Sequence, residues 1–155
     1  VGSSATVSNE ITLGNSSVTV LRSNVALTGL SDRRDKTDIS TISEGLEFIK
    51  QLKPVSFTWN MRDKGKVGIK SAGFIAQDLL ALQQKSAIGS NLDLVSQENP
   101  DKLEARYSNL LPVIVKAIQE ESAQKDTDIA ALKVLYEAQQ KQIEELKLLI
   151  LSLKK

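Results

Sequence analysis

Eight residues near the C-terminus constrain this chain most. Ile129, Leu132, Tyr136, Gln139, Ile143, Leu146, Ile150 and Leu153 are separated alternately by three and four positions. That spacing is the seam of a coiled coil, with Ile129, Tyr136, Ile143 and Ile150 at a and the others at d. Residues 109–155 therefore read as one long helix, with Pro112 tolerated because it falls in the first turn. Leu111, Val115 and Ile118 line one face ahead of a polar break from Gln119 to Asp128. At ~1.5 Å per residue such a helix is about 70 Å long, whereas a small domain is about 30 Å across. Two outcomes are open: the helix protrudes and takes partner chains, or it breaks at 119–128 and folds back. Ile at a with Leu at d favours two strands. Leu135 and Leu149 at g widen the apolar stripe, which suits three or more.

The rest of the chain points to an α+β fold. Residues 1–30 are polar and β-branched, with short alternating runs at Glu10–Gly14, Val18–Leu21 and Val25–Leu27. Asn15-Ser16-Ser17 and Arg22-Ser23-Asn24 separate them as turns. Strands this thin bury no core of their own, so we expect the end of a larger β structure, completed by other chains or by chain upstream, with a disordered linker as the alternative. No methionine opens the sequence, which fits a piece of a longer protein.

Residues 31–108 read as a small body of helices and antiparallel hairpins. Thr41 and Glu44 have capping-box spacing ahead of Ile42, Leu46, Ile49 and Leu52, which recur at helical spacing. Lys53-Pro54 should end that helix. Val55–Asn60 and a strand around Gly68–Ala76 form one expected hairpin across a charged turn. Gln77–Leu82 reads as helix. Leu92–Val95 and Leu103–Tyr107 flank a second turn at Glu98-Asn99-Pro100-Asp101. Phe57, Trp59, Phe74 and Tyr107 read as core.

Composition removes most chemistries. There is no cysteine and no histidine. Disulfides, thiolate catalysis, a typical zinc site and a Ser–His–Asp triad are therefore out of reach. Net charge is +1, so no basic excess argues for nucleic acid or an anionic membrane. No apolar run approaches the roughly 18–20 residues of a membrane span. No cofactor, metal or small-molecule substrate is expected.

One option remains for covalent chemistry. The segment Ser31-Asp32-Arg33-Arg34-Asp35-Lys36-Thr37-Asp38 places a serine five residues before a lysine. A serine hydroxyl needs a base, and a neutral lysine can serve. Free lysine has a pKa of about 10.4 and must be depressed to act near pH 7. Burial and nearby cations such as Arg33 and Arg34 push that way, while Asp32, Asp35 and Asp38 push the other. Taken alone, the segment reads more simply as a solvated loop or a helix cap.

Ser31 to Ile39 nevertheless resembles the start of the C-terminal intramolecular-chaperone, auto-processing domain of bacteriophage tail fibres and tailspikes. Leu52-Lys53-Pro54-Val55-Ser56-Phe57-Thr58-Trp59, Gly73-Phe74-Ile75-Ala76-Gln77-Asp78, and Tyr107–Pro112 with Lys116–Glu120 resemble later motifs of that family, in order. The resemblance covers residues 31 to about 122. It implies a homotrimer that helps the upstream fibre of the same chain to fold and then cuts itself free at Leu30–Ser31. Ser31 would be nucleophile and Lys36 base. Asp32 would orient the segment, a backbone N–H or the side chain of Arg33 or Arg34 would be the candidate to hold the oxyanion, and Gln77 would be a support. It further implies action in the host-cell cytoplasm during phage assembly, and we expect Lys36 to be exposed before assembly and desolvated after it. A non-catalytic trimerisation cap that stays attached is the alternative.

Overall fold

A computed structural model describes residues 11–14, 18 and 20–153. The fold is mixed α+β, with two small antiparallel hairpins and a long C-terminal helix. Contacts divide it into two units. One takes residues up to Thr41 together with Pro54–Ile75, and the other takes Ile42–Lys53 and the chain from Ala76 onward.

The first unit holds one hairpin. Strands β1 (Val55–Asn60) and β2 (Val67–Gly73) pair antiparallel, with Val55 opposite Gly73 and Phe57 opposite Ser71. β1 alternates as expected: Val55, Phe57 and Trp59 are half-buried, and the residues between them are exposed. Phe57 and Trp59 meet edge to face at 5.0 Å, and the Lys66 ammonium lies 5.4 Å from the Trp59 ring. Thr58 pairs with Lys70 but Asn60 pairs with Val67, so Gly68 and Ile69 together oppose Trp59. Gly68 has φ of 78°, a bulge conformation that side chains disfavour.

The short strands expected before residue 30 are not formed among the described residues. Ile11–Gly14 and Val20–Leu30 have no strand, and most of their apolar side chains are exposed. A strand exists only through its neighbour's hydrogen bonds, and no described residue supplies that neighbour. Glu10, Asn15–Ser17 and Thr19 of that reading lie outside the described residues.

The second unit is built around the start of the long helix. Helix α1 (Leu46–Gln51) packs against α4 (Leu111–Ser152), and Phe48 and Val113 are fully buried. Gly45 is required by this approach, because a Cβ there would lie 2.6 Å from the Ala117 nitrogen. The capping box is not formed. Glu44 instead accepts hydrogen bonds from Ser86 Oγ (2.6 Å) and the Ala87 N–H (3.2 Å), which draws it away from the helix. The cap comes from 74 residues away: the Leu46 N–H donates to Glu120 Oε2 at 2.7 Å. Leu52 leaves α1 in extended geometry ahead of Lys53-Pro54, as expected.

Helix α2 (Ala76–Lys85) is longer than its expected span, and α3 (Gly89–Leu92) was not anticipated. The second hairpin is only two residue pairs, β3 (Val95–Ser96) with β4 (Glu104–Ala105). Asn109 Nδ2 ties the next turn to it by donating to the carbonyls of Leu92 and Asp93, both at 3.0 Å. Tyr107 is 48% exposed rather than core, because the 3-10 turn Tyr107–Leu110 turns Leu110 inward in its place.

Helix α4 runs unbroken through 119–128, so the fold-back alternative is excluded. Its 42 residues span about 63 Å. Val113 and Ala117 face the body. Leu111, Val115 and Ile118 are exposed, and they continue the heptad register backward from Ile129 and Leu132. Ser122 and Lys125 are the polar members of that register between Ile118 and Ile129, with Lys125 paired to Glu121 at 2.8 Å. From Glu121 to Leu153 every side chain is exposed.

Candidate active site

The segment that follows Leu30 folds on itself. Asp32 caps a single 3-10 turn, Arg33–Asp35, by accepting the Arg34 N–H at 2.9 Å. The Asp35 N–H donates to the Asp32 carbonyl and the Lys36 N–H to the Arg33 carbonyl, both at 3.2 Å. Fully extended, the five steps from residue 31 to 36 would span about 17 Å. The turn shortens this so far that Lys36 Nζ donates to Ser31 Oγ at 2.7 Å. Asp38 follows in left-handed geometry, with φ of 51°.

A bidentate ion pair braces the turn. Arg34 Nη2 donates to Asp32 Oδ2 at 2.6 Å, and Arg34 Nε to Oδ1 at 3.0 Å. The Arg34 side chain and then its backbone N–H hold the Asp32 carboxyl below its usual range, and the same pairing raises Arg34. Every residue from Leu30 to Ser40 is exposed.

The geometry thus gathers Ser31, Lys36, Asp32 and Arg34 within one turn. Arg33 contributes its carbonyl to that turn. The Arg34 fork is occupied by Asp32, which leaves Arg33 and backbone N–H groups as the freer donors for an oxyanion. Gln77 lies in the other unit, exposed in the first turn of α2, and its part rests on the resemblance alone. Sequence reading missed the Asp32–Arg34 fork, although an aspartate two residues before an arginine at a helix start was a usable signal. Among the described residues no group of acidic side chains is arranged to hold a metal ion.

Chemically, a hydroxyl beside an amine can act as nucleophile once the amine is neutral. Fold and pairing define a class no narrower than an α+β protein carrying a serine–lysine pair at the head of its body. The family comparison is more particular: residues 31–87 match the Peptidase_S74 family, the chaperone of endosialidase. The match starts at Ser31 itself and bears out the resemblance to a phage tail-fibre chaperone domain over that stretch. It stops short of the motifs after residue 87, which rest on the sequence alone. No curated protein and no solved structure matches the chain.

Proposed function

We propose that the chain is an intramolecular chaperone that trimerises a phage tail fibre or tailspike and then releases itself by cutting Leu30–Ser31. The observation that carries this reading is the 2.7 Å contact from Lys36 Nζ to Ser31 Oγ at the first residue of the family match. Residues 1–30 are the end of the fibre, 31–108 the processing body, and 109–155 the trimerising helix. The partners are two further copies of the chain and the fibre upstream. The setting is the host cytoplasm during phage assembly, with the mature fibre remaining on the virion tail.

In the cut, neutral Lys36 takes the Ser31 hydroxyl proton as Oγ attacks the Leu30 carbonyl carbon. The C–N bond breaks, and Lys36 returns the proton to the departing Ser31 nitrogen. Leu30 is then esterified to Ser31 Oγ. Water hydrolyses the ester, giving a Leu30 carboxylate and a free Ser31 hydroxyl. Asp32 orients the turn. Association through the exposed a/d stripe raises the effective concentration of the upstream strands. Partner chains would also desolvate Lys36, which favours its neutral form. Release then leaves the fibre kinetically trapped in its folded state.

The exposure of Ser31 and Lys36 favours a second reading, a non-catalytic trimerisation cap that stays attached. Intact mass spectrometry of the fibre-linked chain separates the two. Self-release predicts two products from wild type and one from Ser31→Ala or Lys36→Arg. A single uncut product from wild type sinks the cleavage reading, and normal cutting by Lys36→Arg removes Lys36 as base.

A further inference from the structure

We infer that Arg34 is a positioning residue whose guanidinium occupies the Asp32 carboxylate and so keeps that charge from pairing with the Lys36 amine. The inference rests on the proposed Ser31–Lys36 cut. Lys36 must lose its proton to act, and a carboxylate close to it would hold that proton in place. Asp32 is the acid that adjoins Ser31 and caps the turn that carries Lys36 back. The segment is exposed along its length, and the other charged residues of that stretch are Arg33, Asp35 and Asp38.

Both Asp32 oxygens are engaged by Arg34. Oδ1 accepts from the Arg34 N–H and Nε, and Oδ2 from Nη2 and, at 3.2 Å, from Nε. Among the described residues no ion pair reaches Lys36, whose Nζ is bonded to Ser31 Oγ. A planar fork can hold both oxygens at once, which a lysine at position 34 could not do. The pairing holds Asp32 below and Arg34 above their ordinary values.

Capping and charge sequestration are separable. Asn caps helical turns as well as Asp does. Asp32→Asn therefore keeps the acceptor for the Arg34 N–H, and removes the charge together with the Oδ2 acceptor of Arg34 Nη2. In the fibre-linked chain, Arg34→Gln should move the half-maximal pH of cleavage upward by about half a unit, the order of one charge acting through several ångströms of water. At a fixed pH on the rising limb that is about a threefold slower cut. Asp32→Asn should move the profile downward, and Asp32→Asn/Arg34→Gln should return it to the wild-type position. A uniform loss at all pH values, with no displacement, would mean a purely structural clamp and overturn the inference. So would profiles that do not change.

A second measurement does not need cleavage. In the uncut Ser31→Ala chain, labelling of Lys36 by acetic anhydride, read by peptide mass spectrometry, should slow about threefold with Arg34→Gln and recover with the added Asp32→Asn. If wild type never cuts but this labelling pattern appears, the charge role stands and the cleavage reading falls. If wild type cuts and labelling is the same in all three chains, the charge role falls alone.

Discussion

The first ten residues of α4 and the thirty-odd that follow belong to one helix but meet their surroundings differently. Between Leu111 and Glu120 the helix has two faces. Val113 and Ala117 are buried by the chain's own α1, while Leu111, Val115 and Ile118 are exposed. Beyond Glu120 only the second face persists, with Leu132 64% and Tyr136 61% exposed. The difference teaches where each stretch finds its core. One face of the early part is satisfied within the chain, and the other face, which the later part continues, is a seam that a single chain leaves open. Both seams share one heptad register, interrupted at Ser122 and Lys125. Under the proposed association, partner helices would continue alongside the body rather than stopping at its edge.

The sharpest way to break this comparison is Ile143→Asp. It introduces a charge into the seam and leaves the body untouched, so association of the full chain should be lost in sedimentation experiments while the α1–α4 packing survives. Unchanged sedimentation would remove the seam as the interface. The converse change is Phe48→Ala, in the region the chain completes for itself. Its fully buried ring predicts a loss of about 3–5 kcal/mol, read by urea unfolding at fixed chain concentration. A cost below about 1 kcal/mol would deny Phe48 its place in the core. Gly45→Ala should cost less, about 1–3 kcal/mol, because the added methyl meets the backbone at Lys116 and Ala117. No cost at all would show that α1 can move off α4 freely.

The smallest expected effect is acid dependence at the boundary between the two stretches. The Leu46 N–H, and then Lys116, hold the Glu120 carboxyl below its usual range against the opposing effect of burial. A lowered carboxylate stabilises the fold fully above the ordinary glutamate value, about 4.3, and loses that contribution as pH falls through the lowered one. Body stability should therefore decline on acidification below about pH 4, and Glu120→Gln should flatten that part of the curve. An identical acid profile in the variant would dismiss Glu120 as the cap of α1.

What could be read from the sequence was what repeats or pairs locally. The eight-residue seam, the β1–β2 hairpin and the proline that stops α1 all leave patterns within a few positions. The meeting of Ser31 and Lys36 also lies within six residues. What escaped was carried by distant partners. Thr41 and Glu44 had the right spacing for a cap, but Ser86 and Ala87 engage Glu44, and Glu120 does the capping from the far helix. No window around residue 45 contains the reason its side chain must be absent, since that reason lies at Lys116 and Ala117. Tyr107 looked like core by type, yet the turn it opens gives the inward place to Leu110.

The turn at Ser31–Lys36 has one further consequence, and it concerns time. All the bonds that close it come from consecutive residues, so it can form as soon as those residues leave the ribosome. Loops of about ten residues close in tens of nanoseconds, far faster than chains find one another. If the pair cuts, its geometry is ready before any trimer exists. Under the proposed function, the water around Lys36 is then one clock that could delay the cut, stopped when a neighbouring chain displaces that water.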